Sequence, residues 1–205
     1  MAVKAVFLDV GETLSNEAQG WAGLARRAGV EPHVVWAAVG VTIERRQHHR
    51  TVFELLGCEH PDWRTLGWED SQLYPDALAC LRALREANYF IGLAGNVGGD
   101  VLEPFVERHR LDVDFVASSS TLGAEKPAPE FFARLIAAGG ARPAETAYVG
   151  DRVDNDIVPA ADAGMVSIFL RRGPWGYLQA TWPEANRARS RIDSLAELPE
   201  ILRDA

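Results

Sequence analysis

Apolar residues fall along this chain in two textures, short dense runs and longer periodic stripes. Five runs, Ala5 to Leu8, Phe90 to Ala94, Val113 to Ala117, Thr146 to Val149 and Val166 to Leu170, have strand length and are mostly apolar. That pattern predicts parallel strands buried on both faces. Between them lie helical stripes. Pro75 followed by Leu78, Leu81 and Leu84 predicts a helix opened by proline and ending near Asn88, and Pro129 opens another with Phe132, Leu135 and Ile136 on one face. The Gly139-Gly140 pair stops the second helix. Strands alternating with helices predict an α/β fold, a doubly wound, Rossmann-like parallel sheet.

The segment from about Ser15 to Gln72 breaks this alternation. It holds no convincing strand but carries helical stripes, Trp21, Leu24, Ala25 and Ala28, then Val35, Ala38, Val39 and Ile43. The expected organisation is a core domain of residues 1–14 and 75–205, with a helical domain of residues 15–74 inserted after the first strand. There is no internal repeat and no low-complexity tract.

Composition narrows the function. With 205 residues, 47% of them hydrophobic, the chain can bury a full core. A net charge of -8 argues against nucleic acid or an anionic membrane as partner, because both require clustered positive charge. An anionic substrate would need a local positive site. The first apolar run is too short for a signal peptide, and no stretch approaches a membrane span. Cys58 and Cys80 make no disulfide framework and have no metal-ligand spacing. A reducing cytoplasm is the expected setting, and the pattern says nothing of oligomeric state.

Open parallel sheets bind ligands outside the carboxyl ends of their strands. Polar residues gather at three such ends: Asp9-Val10-Gly11-Glu12-Thr13, then Gly95-Asn96, then Gly150-Asp151 with Asp154 and Asp156 close behind. Gly123 to Pro129 adds Lys126 just before a helix start. Two carboxylates at one edge repel each other, so they call for a cation, which Lys126 and a hard divalent metal would supply.

These four motifs, in this order, resemble the haloacid dehalogenase superfamily over nearly the whole chain, and the helical insertion resembles that family's cap. The resemblance implies that Asp9 is a nucleophile forming a covalent aspartyl intermediate. It also implies that Mg2+ is held by Asp9, the Gly11 carbonyl and Asp151, with Asp156 in support, and that Lys126 steadies the nucleophile and the transferred group. Gly95 and Asn96 would meet the substrate, a small phosphate ester or another small anion.

Two positions depart from the family pattern. Its phosphatases carry a second Asp two residues after the nucleophile as general acid and base, where this chain has Gly11. They also offer a hydroxyl where this chain has Gly95. General acid and base help contributes roughly 10²- to 10⁴-fold in rate. Glu12 is a poor substitute, since alternate residues of an extended segment point apart. On this reading Gly11→Asp should raise turnover.

Three functions follow: a magnesium-dependent phosphatase of small phosphorylated metabolites, a 2-haloacid dehalogenase, or a non-catalytic binding protein. A dehalogenase would need a carboxylate-binding arginine, a role for which Arg45 or Arg46 is only a guess. The basic run Arg45 to Arg50 reads first as a helix end. Asp154 reads as a surface residue, and the tryptophans as packing, with Trp21 or Trp36 the ones that could face the site. His33, His60 and His109 have no metal spacing.

Overall fold

The computed structural model describes residues 2–59, 61 and 72–203. Its strands are β1 Ala5–Leu8, β2 Ser15–Asn16, β3 Gln72–Leu73, β4 Phe90–Gly95, β5 Phe115–Ser118, β6 Thr146–Gly150, β7 Val166–Leu170 and β8 Ser190–Ile192. Its α-helices are α1 Ala18–Arg27, α2 Pro32–Glu44, α3 Val52–Leu55, α4 Ala77–Glu86, α5 Gly99–His109, α6 Ser119–Leu122, α7 Pro129–Gly139, α8 Val158–Asp162, α9 Gly173–Gln179 and α10 Leu198–Arg203. Six strands pair in parallel in the order β5-β4-β1-β6-β7-β8.

The expected α/β sheet is therefore present, and both faces are covered. Alternate residues of β1 point to opposite sides. Val6 and Leu8 join Leu81 and Leu84 of α4 and Phe105 of α5. Ala5 and Phe7 join Phe131, Phe132 and Leu135 of α7. Pro129 starts α7 and Gly140, at φ 61°, ends it in the left-handed region. From β1 the chain builds outward to β4 and β5, then returns to β6 on the other side. The crevice at that reversal lies beyond the carboxyl ends of β1, β4 and β6.

Several details differ from expectation. β4 and β6 each run one residue further, and β5 begins at Phe115 because Asp114 turns its carboxylate to the Ile91 amide and the Arg85 guanidinium. Leu78 is exposed, and Ala77, Cys80, Leu81 and Leu84 form the buried stripe of α4. The segment expected to lack strands begins and ends in a two-residue antiparallel ladder, Ser15 opposite Leu73 and Asn16 opposite Gln72. Between these lie α1 to α3, which bury Trp21, Leu24, Val35, Val39, Val52 and Phe53 together. Trp175 of α9 completes that cluster. His60 and the tryptophans at 63 and 68 lie outside the described residues.

Asp76, at the start of α4, ties distant segments together. It accepts from the Arg172 guanidinium, from the Ser194 hydroxyl at 2.7 Å and from the Leu195 amide at 3.0 Å. Burial alone would raise its carboxyl, but these donors outweigh burial and hold it below the usual 3.8. A lowered pKa contributes stability above the unfolded value and loses it as pH falls through the folded one. Asp76→Ala should cost about 2 kcal/mol at neutral pH, since it strands three donors. In urea titrations at decreasing pH, the gap between parent and variant should close below 3.8.

Candidate active site

The loop after β1 is a tight turn. The Val10 carbonyl accepts from the amides of Leu14 and Ser15, both at 2.9 Å, and Glu12 sits at φ 52°. Glu12 thus turns away from Asp9. Its Oε1 accepts from the Glu17 amide at 2.9 Å and its Oε2 from the Tyr74 hydroxyl at 2.5 Å. Arg172 donates to the Thr13 carbonyl at 2.8 Å, bracing the loop from the end of β7. The bend that could have made Glu12 a substitute acid instead makes it a structural clamp.

Lys126 lies buried between two carboxylates, its Nζ 2.8 Å from Asp9 Oδ1 and 2.6 Å from Asp156 Oδ1. Asn96 holds the lysine's backbone. Its Oδ1 accepts from the Lys126 amide at 2.7 Å and its Nδ2 donates to the Lys126 carbonyl at 2.8 Å. Asn96 lines the pocket, but both ends of its amide are engaged in placing Lys126. Asp156 is set by a widened turn, Val153–Ile157, and its Oδ2 accepts from the Arg152 amide at 3.0 Å. Room for that carboxylate comes from Gly150, where a Cβ would stand 2.4 Å from Asp156 Oδ2.

Asp9, Asp151 and Asp156 bring one oxygen each within 4.8 Å of one another, and all three are buried. Asp151 Oδ2 is buried with no hydrogen-bond partner among the described residues. Burial, then repulsion from Asp156 and Asp9, pushes the Asp151 carboxyl well above its usual range. Burial pushes Asp156 up to about 6 against the pull of Lys126. For Lys126, burial alone would lower the ammonium, but Asp156 and Asp9 outweigh it and hold it well above its usual range. Arg152 acts on Asp151 and Asp156 through space but pairs with Asp154, so Lys126 is the cation in direct contact with the trio among the described residues. A hard cation bound by oxygen ligands fits the remaining deficit and would satisfy Asp151 Oδ2.

The site opens into a cavity of about 430 Å³. Gly11 and Gly95 line it, and a Cβ at Gly95 would lie 3.0 Å from Asp9 Oδ1. Its far wall comes from the helical segment, with Trp21, His49 and Arg50, and from Trp175. Trp36 packs on Trp21 at 5.5 Å and is not part of the lining. The basic run divides: α2 stops at Glu44, Arg46 pairs with Glu184 at 2.9 Å, and His48 to Arg50 reach the cavity. Asp154 is exposed and pairs with Arg152 at 2.8 Å.

Glu17 was not singled out by sequence reasoning. Its carboxylate lines the cavity beside Gly11, where a Cβ would meet Glu17 Oε1 at 2.4 Å and Cδ at 2.9 Å. Burial, with repulsion from Glu12 and Asp9, pushes it up to about 8. The one sequence signal was a glycine at 11 in a loop otherwise rich in side chains.

A family model for haloacid dehalogenase-like hydrolases matches residues 3–164. A glyceraldehyde 3-phosphate phosphatase of Methanopyrus kandleri is 30% identical over 194 residues, covering 90% of this chain and 74% of that protein. The crystal structure of a phosphatase of this class from Thermococcus onnurineus, 25% identical, superimposes with a TM-score of 0.66 over 98% of both chains. An L-2-haloacid dehalogenase of Xanthobacter autotrophicus, 21% identical, shares the fold with a TM-score of 0.73 over 98% of both chains.

The buried pairs predict a measurable coupling. Lys126→Met should cost roughly 3–5 kcal/mol in chelator, because it leaves uncompensated buried charge. Adding Asp156→Asn should recover part of that loss. A double-mutant cycle by denaturant unfolding checks this, and simple additivity of the two changes would contradict it.

Proposed function

The chain belongs to the haloacid dehalogenase-like hydrolases, and we propose that within that family it is a magnesium-dependent phosphatase of small phosphorylated metabolites, working through an aspartyl-phosphate on Asp9. The observation that carries this reading is the buried trio Asp9, Asp151 and Asp156, in which Lys126 pairs directly with Asp9 and Asp156 and an oxygen of Asp151 has no hydrogen-bond partner among the described residues. Asp9, the Gly11 carbonyl and Asp151 would hold the metal, with Asp156 in support. Bound there, Mg2+ would supply positive charge against the oxygens of the transferred phosphoryl group.

The rest is done by side chains of this chain. Lys126 binds Asp9 Oδ1, which leaves Oδ2 for attack on phosphorus. The ester oxygen departs as the Asp9–phosphorus bond forms, and water then releases phosphate and regenerates Asp9. Lys126 also offers positive charge to the transferred group, and Asn96 fixes the stretch of backbone that carries it. We read α1 to α3 as a cap that closes the cavity over a small substrate, with Trp21, His49 and Arg50 facing it.

Neither arginine considered for gripping a halo-acid carboxylate is placed to do so, although Arg50 and Arg152 line the cavity. Arg46 is committed to Glu184, and neither Arg45 nor Arg46 lines the cavity. Glyceraldehyde 3-phosphate, named in the M. kandleri relative, is the first ester to assay. A reducing cytoplasm is the setting we propose, where Cys58 and Cys80 stay as free thiols.

A panel of phosphate esters and 2-halo acids, each with Mg2+ and with chelator, tests the reaction class. Phosphate release should require Mg2+, and the halo acids should be untouched. Asp9→Asn should fall below detection on every ester, because an amide is not a nucleophile there. In calorimetry, Asp151→Ala should lose Mg2+ binding. Halide release, or full activity in chelator, would count against the reading.

A further inference from the structure

An alkoxide departs poorly without a proton, and the water that frees phosphate from Asp9 must give one up. No residue assigned so far does either. The acidic groups of the cavity can be taken in turn. Asp9 attacks and Asp151 holds the metal. Glu12 has both oxygens committed to Tyr74 and the Glu17 amide. Asp100 and Glu125 are exposed at the mouth. Glu17 is left, and it stands where Gly11 has no side chain.

Resting on the phosphatase reading, we propose that Glu17 is the proton donor and acceptor of this site, reaching from the start of the helical segment into the space that Gly11 leaves open. The packing is specific. An added Cβ at residue 11 would stand 2.4 Å from Glu17 Oε1, so any side chain there would displace the carboxylate. Glycine at 11 and glutamate at 17 therefore belong together. The Glu17 backbone is anchored by its amide to Glu12 Oε1 at 2.9 Å, and Glu12 is itself held by Tyr74. Its Oε2 accepts from Trp21 Nε1 at 3.4 Å, leaving Oε1 as the oxygen beside Gly11.

The steps balance. In the first, Asp9 forms a bond to phosphorus, the phosphorus–ester oxygen bond breaks, and protonated Glu17 passes its proton to the leaving oxygen, giving the alcohol. In the second, Glu17 carboxylate takes a proton from water as the water oxygen attacks phosphorus. The Asp9–phosphorus bond breaks, phosphate leaves and Glu17 is again protonated. Gly11→Asp alone is now expected to lower activity, because the new side chain meets Glu17 in both volume and charge.

The test compares the parent with Glu17→Gln on glycerol phosphate and on para-nitrophenyl phosphate in Mg2+. Gln keeps the volume and can still accept from Trp21. Steady turnover of glycerol phosphate should fall roughly 10²- to 10⁴-fold. With the nitrophenyl ester, whose leaving group hardly needs a proton, nitrophenol should appear in a burst of one per site at close to the parental rate, then slowly. If melting curves show that Glu17→Gln does not fold, Gly11→Asp combined with Glu17→Ala carries the test, and should exceed Glu17→Ala alone by about tenfold or more on glycerol phosphate. Parental turnover of glycerol phosphate by Glu17→Gln overturns the proposal and leaves the phosphatase reading standing. An equal loss on both esters, burst included, assigns Glu17 a structural role and also overturns it. A parent inactive on every phosphate ester in Mg2+ removes the phosphatase reading and this proposal with it.

Discussion

The Lys126 ammonium, buried between Asp9 and Asp156, is the interaction on which the rest of the site depends. A buried charge is costly unless paired and hydrogen-bonded, and three carboxylates meeting at one sheet edge would otherwise repel. The surrounding structure is arranged to permit it. Asn96 grips the lysine's backbone from the end of β4, and the side-chain-free Gly150 lets Asp156 approach from the end of β6. Asp9 arrives on β1, which lies between those two strands. The compensation is deliberately incomplete in charge, and that deficit is what a divalent cation would meet.

A second layer of polar contacts holds the first loop. Glu12, Tyr74, Thr13, Arg172 and Asp76 form a chain of hydrogen bonds and ion pairs running from the turn after Asp9 to the start of α4 and on to Ser194. Arg172 also lies over the Tyr74 ring at 4.2 Å. Of these groups Glu12 alone lines the cavity, with both its oxygens engaged, yet together they set where Gly11 and Glu17 lie. Burial pushes the Glu12 carboxyl up while Tyr74 and the Glu17 amide pull it back, as expected of a clamp held inside the protein.

Much of the sheet was legible because strands buried on both faces carry dense apolar runs, and the polar residues after those runs mark where strands end. The convergence of Asp9, Lys126, Asp151 and Asp156 follows from that topology. β8 was not legible. Ser190 and Arg191 give it no apolar run, and it exists only because β7 offers an edge to pair with. Helix α9 escaped notice because Gly173, Pro174 and Gly176 look like loop punctuation. Glu17 was invisible for a different reason. Its place beside Gly11 depends on a left-handed residue at Glu12 and a turn closed by the Val10 carbonyl, and neither has a periodic signature. Asn96 was visible as a residue at the sheet edge, but its grip on Lys126 bridges 30 positions of sequence.

The apolar cluster of α1 to α3 includes Trp175 from α9, whose ring lies 6.1 Å from that of Trp21, and Arg46 of the segment stacks over Trp182 at 4.1 Å while binding Glu184. The inserted helices thus lack a core wholly their own. Secondary units that share a core tend to open and melt cooperatively. Damage to packing deep in the insertion, at Phe53 or Val39, would therefore be felt at α9 and along the sheet beneath it, and excising the insertion would leave an aromatic scar on the remaining fold instead of a clean surface.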